Sequence, residues 1–190
     1  KRGDIGSTMK AYADAWLGTS SPLGTDSVTL SPYLGFESLR PALDAATAHQ
    51  RGTFVLALTS NPEGKSVQHV GKAEDTGAVA KQVIAAATAE NTAQTWERMG
   101  SCGLVVGATV GEALKELAID LSTFNGPILS PGYGAQGASA EDLYRIFAGV
   151  ESQVLVNSSR GVLSAGPQLA DLARAAQSAR DDLVRARGTS

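Results

Sequence analysis

Short runs of apolar residues alternate along the chain with longer stretches in which apolar residues recur every three or four positions. The short runs are mostly continuous, which is typical of parallel strands covered on both faces. The predicted strands are residues 27–31, 54–58, 103–107, 127–129 and 153–156. The predicted helices are residues 7–17, 36–49, 76–99, 139–150 and 167–187. This alternation predicts an α/β chain built on a parallel sheet.

Local signals set the ends of two of these helices. Ser7 or Thr8 is the predicted N-cap of the first helix, and the residues before it resemble a loop that normally follows a strand. Ser139 is the predicted N-cap of the fourth helix, because Glu141 and Asp142 place acidic side chains in its first turn.

The loops after the last two predicted strands decide between architectures. The first loop reads Gly-Tyr-Gly-Ala-Gln-Gly from Gly132, and the second ends in Arg160. A glycine-rich loop followed by an Arg-bearing loop is typical of the phosphate site after strands seven and eight of a (β/α)8 TIM barrel. Counting back, Lys1 lies at the end of strand three. We therefore expect residues 1–190 to be one barrel domain whose N-terminal part is missing.

The glycine-rich loop also has two other interpretations. Its Gly-x-Gly-x-x-Gly spacing matches the dinucleotide fingerprint, but that site requires an acidic residue about twenty positions on, where this chain has Asn157 to Arg160. Alternatively, the glycines only permit a tight turn. The phosphate interpretation is favoured because Arg160 and free backbone amides converge on one rim of the barrel.

Charge and composition exclude several classes of partner. Sixteen basic and nineteen acidic residues give a net charge of −3 and a pI near 5.4, so neither nucleic acid nor a membrane is expected as a partner. No apolar run reaches the roughly 18–20 residues of a membrane span. Cys102 is the lone cysteine, and His49 and His69 lack metal-ligand spacing to it. We expect a cytoplasmic protein with no metal and no cofactor.

Five segments, taken in order, resemble one known family. They are residues 1–8, 30–35, 58–64, 103–109 and 129–137. Together they are similar to orotidine 5′-phosphate decarboxylases of the longer-chain bacterial branch. Residues 1–8 resemble the family's Asp-x-Lys-x-x-Asp catalytic motif from its Lys onward, and the first Asp of that motif would precede Lys1.

The resemblance implies a reaction and a set of residues for it. The reaction is the decarboxylation of orotidine 5′-phosphate to uridine 5′-phosphate in pyrimidine biosynthesis. The implied catalytic residues are Lys1, which would stabilise and protonate the C6 carbanion, and Asp4. Ile5 and Thr8 match positions that reach into a neighbouring subunit, which implies a homodimer with shared active sites.

The remaining expected contacts to the nucleotide come from three loops. The residues are Ser60, Asn61 and Pro62 beside the pyrimidine, Gln136 between base and phosphate, and Ser159 and Arg160 at the phosphate. Residues 61–77 are a candidate lid. Two alternatives remain: a barrel fragment that binds phosphate esters without turnover, and a dinucleotide-binding oxidoreductase. The alternative for Lys1 is a solvated surface residue, and the alternative for Arg160 is a surface ion pair.

Overall fold

Five strands and eight helices alternate along the part of the chain that the structure describes. The computed structural model describes residues 3–71, 77–134 and 137–187. The strands are β1 (Ser27–Leu30), β2 (Gly52–Leu58), β3 (Cys102–Val106), β4 (Ile128–Pro131) and β5 (Val154–Asn157). The helices are α1 (Gly6–Leu17), α2 (Arg40–Ala48), α3 (Lys65–Gln68), α4 (Val79–Thr92), α5 (Gly111–Glu116), α6 (Ala140–Ile146), α7 (Ser159–Leu163) and α8 (Leu169–Arg187). Turns of 3-10 helix occupy Phe36–Leu39, Pro62–Gly64 and Glu151–Gln153.

The strands form one parallel sheet in the order β1-β2-β3-β4-β5. Because spatial order equals chain order, each connection steps to the next strand in the same direction. A doubly wound sheet reverses direction, whereas successive units of a (β/α) barrel do not. Among the described strands, β1 and β5 each pair on one side only. The loops after all five strands therefore lie along one edge of the sheet.

The core lies between this sheet and its helices. All residues of the central strand β3 are buried, which explains its continuous apolar sequence. Met9, Ala13 and Leu17 of α1 are buried at helical spacing, and α1 packs beside α2. One cluster of buried side chains extends through the chain from Met9 to Ala186.

A buried amide ties the start of β3 to the end of α4. The Asn91 side chain donates from Nδ2 to the Cys102 carbonyl oxygen at 2.8 Å and accepts at Oδ1 from the Cys102 amide at 3.1 Å. A Cβ atom at Gly126 would lie 2.5 Å from Asn91 Nδ2 and 2.6 Å from the Cys102 oxygen. Gly126 is therefore required for the amide to reach the strand.

The strand predictions are confirmed to within two residues at each end. The helix predictions differ more. The prediction of Ser7 or Thr8 as the first N-cap is wrong, because α1 begins at Gly6 with Ile5 as its N-cap and no capping side chain. The Ser139 N-cap is confirmed.

Two helices end several residues before their predicted ends. The helix predicted for residues 76–99 spans only Val79–Thr92, and beyond it the Trp96 indole donates to the Asn91 carbonyl oxygen at 2.8 Å, closing a turn. The helix predicted for residues 139–150 ends at Ile146, three residues before Gly149 with its φ of +86°.

Three short helices, α3, α5 and α7, follow strands or turns and were not predicted. With four, six and five residues respectively, they are too short to display a helical repeat of apolar positions.

Candidate active site

The carboxyl edge of the sheet gathers the loops that carry the predicted site residues. Ligand sites of parallel α/β proteins lie at this edge, because the strand-to-helix loops there provide polar side chains and free amides. In sheet order, the loops begin at Ser31, Thr59, Gly107, Gly132 and Ser158.

The N-terminal segment lies against the loop after β1. Gly3 approaches so closely that a Cβ atom there would collide with the Ser31 carbonyl oxygen, so the segment before α1 lies beside the end of β1. Asp4 is half-buried and accepts the Ile5 amide at Oδ1 over 2.8 Å. Ile5 is 60% exposed, and Thr8 is also exposed. Lys1 lies outside the described residues.

Hydrogen bonds from one glutamine organise the loop after β2. Gln68 of α3 accepts the Thr59 amide at Oε1 over 2.9 Å and donates from Nε2 to Thr59 Oγ1 over 2.7 Å. Thr59 in turn donates to Asn61 Oδ1 at 2.7 Å. Asn61 then donates to Glu63 at 3.0 Å, and this hydrogen bond lowers the pKa of Glu63.

The same loop approaches the end of β3. A Cβ atom at Gly107 would lie 3.4 Å from the Ser60 amide nitrogen, and the Gly107 amide donates to the Leu58 carbonyl oxygen at 2.9 Å. Ser60, Asn61 and Pro62 are exposed in this loop. The chain from Asn61 toward Gly77 includes a 3-10 turn and α3, with residues 72–76 outside the described part, and its closure as a lid stays a prediction.

The glycine-rich loop after β4 folds back on itself. Gly132, Gly134 and Gly137 have φ values of +119°, +68° and +97°, which is the left-handed region that favours glycine. The Gly134 amide donates to the Ala138 carbonyl oxygen at 2.9 Å, and the Ala138 amide donates to the Gly132 oxygen at 3.3 Å. Gln136 lies outside the described residues.

The glycine-rich loop and the turn after β5 border a small open cavity of about 80 Å³. It is lined by Pro131, Gly132, Tyr133, Asn157, Ser158, Ser159 and Arg160. A liquid water occupies about 30 Å³, so this space admits a group larger than one water. Ser159 and Arg160 are exposed at its mouth. An Arg beside a bent glycine loop can bind an oxyanion by bidentate hydrogen bonds.

A contact that sequence reasoning missed fixes the tyrosine of this loop. The Tyr133 hydroxyl donates to Asp182 Oδ2 of α8 at 2.7 Å. Burial, followed by the hydrogen bond and charge of Asp182, raises the pKa of Tyr133 to about 12. The two residues are 49 positions apart, and nothing in the local pattern of either one signals the other.

The structure thus brings some predicted residues together and leaves others apart. Ser159 and Arg160 line the same cavity as the glycine-rich loop. Ser60, Asn61 and Pro62 lie together in the loop after β2. The segment with Asp4, Ile5 and Thr8 lies beside the end of β1, and Arg160 follows β5, at the opposite end of the described sheet order.

The described residues provide neither a metal-binding cluster nor a membrane-spanning helix. Residues 3–71, 77–134 and 137–187 contain no group of three or more His, Cys, Asp or Glu side chains that could hold a metal ion. Within the same ranges, every helix is too short or too polar to cross a bilayer.

The sequence of the chain is similar to that of one known protein family. The sequence profile of the orotidine 5′-phosphate decarboxylase / HUMPS family matches residues 1–175. The chain belongs to this family. Membership does not favour the dinucleotide-binding oxidoreductase that the glycine spacing also allowed.

Curated relatives agree with this assignment. The orotidine 5′-phosphate decarboxylase of Salinispora arenicola is 52% identical over 176 residues, covering 93% of this chain and 61% of the relative. That of Streptomyces coelicolor is 49% identical over 180 residues, with the same coverage of both chains. The chain thus spans about three fifths of the length of these relatives.

A solved structure from Streptomyces avermitilis has a similar fold. That protein is provisionally assigned as an orotidine 5′-phosphate decarboxylase. Its TM-score is 0.88 at 49% identity, and the match covers 98% of this chain and 63% of that one. The predicted fold class is confirmed: the chain supplies successive strand–helix units of a (β/α)8 barrel.

Proposed function

We propose that this chain provides the catalytic, base-binding and phosphate-binding loops of an orotidine 5′-phosphate decarboxylase that works without a cofactor. Family membership supports the reaction. The observation that carries the site is the 80 Å³ cavity, in which the glycine-rich loop and Arg160 face the same space at the carboxyl edge of the sheet. The product is uridine 5′-phosphate.

The proposed reaction breaks the bond between C6 and the carboxylate of the pyrimidine. Carbon dioxide leaves, the electron pair stays on C6, and the Lys1 ammonium then transfers a proton to that carbon. A fixed cation lowers the barrier because its interaction strengthens as negative charge develops in the transition state. Asp4, which follows closely in the sequence, is the proposed carboxylate partner of Lys1.

The remaining loops hold the two ends of the nucleotide. Ser60, Asn61 and Pro62 are assigned to the pyrimidine end of the nucleotide. A hydroxyl such as that of Ser60 both donates and accepts hydrogen bonds, which suits a ring that displays both kinds of group. Arg160, with Ser159, binds the phosphate, and Gln136 bridges base and phosphate. Binding energy from the unreactive phosphate then helps to orient the reacting ring.

The proposed assembly is a homodimer with shared active sites. Ile5 and Thr8 are exposed at the start of α1. Tyr33 and Leu34, in the loop after β1 that Gly3 contacts, are 78% and 53% exposed. Apolar side chains of this size on one rim suit contact with a second subunit.

We also propose that residues 1–190 form one domain and that the protein acts in the cytoplasm. The continuous buried cluster from Met9 to Ala186 supports the first statement. The second rests on Cys102, a lone buried thiol that needs no oxidising compartment.

The test is turnover of orotidine 5′-phosphate, followed by its absorbance change, with the wild-type chain and Lys1→Ala. We expect turnover by the wild type and its loss in Lys1→Ala, while uridine 5′-phosphate binds both within about twofold. Nucleotide binding without wild-type turnover would instead support the phosphate-ester-binding alternative. Equal turnover by Lys1→Ala would refute the role of Lys1.

A further inference from the structure

A hydrogen-bonded side-chain pair joins the final helix to the glycine-rich loop. Tyr133 projects from the loop between Gly132 and Gly134, and its hydroxyl donates to Asp182 Oδ2 over 2.7 Å. The other Asp182 oxygen lies 3.4 Å from Arg185 Nη2, one turn further along α8. The carboxylate is thus held on one side by its own helix and on the other by the loop.

Tyr133 lines two cavities. One is the 80 Å³ space that Arg160 also lines, and the other is a space of about 350 Å³ lined in part by Leu183 and Arg187 of α8. Its ring packs against the core cluster. A shift of this ring away from α8 would therefore change the shape of the Arg160 cavity.

The described residues of the loop are also restrained by backbone hydrogen bonds within the loop and by a bridge between Tyr133 and Ala138. Its three glycines have positive φ, and glycine populates positive and negative φ about equally readily, so these residues by themselves do little to fix the backbone conformation. Its own hydrogen bonds link Gly132 and Gly134 to Ala138. A side-chain hydrogen bond to a carboxylate is stronger than a neutral one, so it can select one conformation of such a loop.

We propose that Asp182 is a positioning residue that holds Tyr133, and through it the glycine-rich loop, in the conformation that binds the substrate phosphate. This inference rests on the proposed function, because it assumes that the Arg160 cavity receives a phosphate. Asp182 lies beyond residues 1–175, the part that matches the family profile, so the profile does not assign it a role.

The variants are chosen to isolate this single hydrogen bond. Asp182→Ala removes the acceptor, and Tyr133→Phe removes only the donor hydroxyl. Asp181→Ala is the matched control, since it deletes the same charge one residue earlier on α8, where the carboxylate pairs with Arg180 at 2.6 Å. Asp182→Asn retains an acceptor oxygen and tests rescue.

The measurement is the affinity of the full chain for uridine 5′-phosphate and for uridine, by calorimetry. We expect Asp182→Ala and Tyr133→Phe each to weaken nucleotide binding about tenfold, with uridine affected less than twofold. The double variant should be no weaker than either single variant, because both remove the same bond. Asp181→Ala should match the wild type, and Asp182→Asn should recover part of the loss.

Hydrogen exchange of the ligand-free protein supplies the structural readout. The Gly134 and Ala138 amides should exchange about tenfold faster in Asp182→Ala than in Asp181→Ala. Unchanged exchange, or equal losses for nucleotide and nucleoside, would overturn the positioning role. A wild-type chain that binds uridine 5′-phosphate no better than uridine would overturn the phosphate site itself, and the inference with it.

Discussion

At the scale of single residues, Arg160 is the most direct test of the phosphate site. Arg160→Ala should weaken binding of uridine 5′-phosphate by about 1.5–3 kcal/mol, the contribution of a charge-assisted hydrogen bond, and leave uridine binding unchanged. Titration calorimetry with both ligands measures the difference. Arg174→Ala is the control, because Arg174 pairs with Asp171 on α8 at 3.0 Å. Equal weakening of nucleotide and nucleoside would contradict the phosphate assignment.

Asn91 is the residue with the clearest purely structural role. Asn91→Ala should lower the free energy of unfolding by about 2–3 kcal/mol, because the buried amide and carbonyl of Cys102 lose their partner. Urea denaturation should show a lower midpoint at unchanged slope.

The neighbouring Thr92 provides the control for Asn91. Its exposed hydroxyl bonds only to carbonyl oxygens of its own helix. Thr92→Ala should therefore change the free energy of unfolding by less than about 0.5 kcal/mol. An equal loss in the two variants would show that the Cys102 contacts are not the source of the effect.

Residue identities in the loops could be read from the sequence, but their partners could not. Arg160 beside a glycine-rich loop follows from the order of strands and loops. The hydrogen bonds of Asn91 to Cys102 and of Tyr133 to Asp182 join residues 11 and 49 positions apart. Such pairs form only once the helix and the strand or loop that carry them have packed together, and the apolar periodicity of the sequence does not encode that contact.

At the scale of secondary-structure elements, the start of α6 is a complete capping box. Ser139 Oγ accepts the Asp142 amide at 3.0 Å, and Asp142 Oδ2 accepts the Ser139 amide at 3.3 Å. Ser139→Ala should lower the free energy of unfolding by about 1 kcal/mol, and Ser139→Thr should restore most of it. Thermal or urea unfolding measures both. A Thr variant as unstable as the Ala variant would contradict capping as the cause.

Helix length limited what could be predicted at this scale. Helices such as α1 and α8 are long enough to display their apolar repeat, whereas α3, α5 and α7 are shorter than two turns. The end of α4 was placed too late, because the residues after Thr92 form a turn closed by the Trp96 side chain rather than another helical turn.

At the scale of the whole molecule, the buried Cys102 makes stability depend on pH. Burial raises the pKa of its thiol to about 12, from an ordinary value of 9.0 in the unfolded chain. Between these values the unfolded chain releases a proton that the folded protein retains, so rising pH favours unfolding. The contribution is fully present below pH 9.0 and is lost toward pH 12.

The comparison with Cys102→Ala isolates this contribution. Above pH 9.0, the free energy of unfolding of the wild type should decline more steeply than that of Cys102→Ala, by about 1.4 kcal/mol per pH unit. Urea titrations at neutral and alkaline pH measure the two slopes. Parallel slopes would show that the thiol titrates alike in the folded and unfolded states.

The sequence by itself determined the order of the strands and of the longer helices, the parallel sheet and the loops that follow each strand. These features are local: apolar periodicity selects strand or helix, and glycine and capping residues set the turns between them. Only the tertiary structure decided which side chains meet at the carboxyl edge. Closing those contacts requires packed helices, so the Tyr133–Asp182 bond and the Arg160 cavity depend on the fold as a whole.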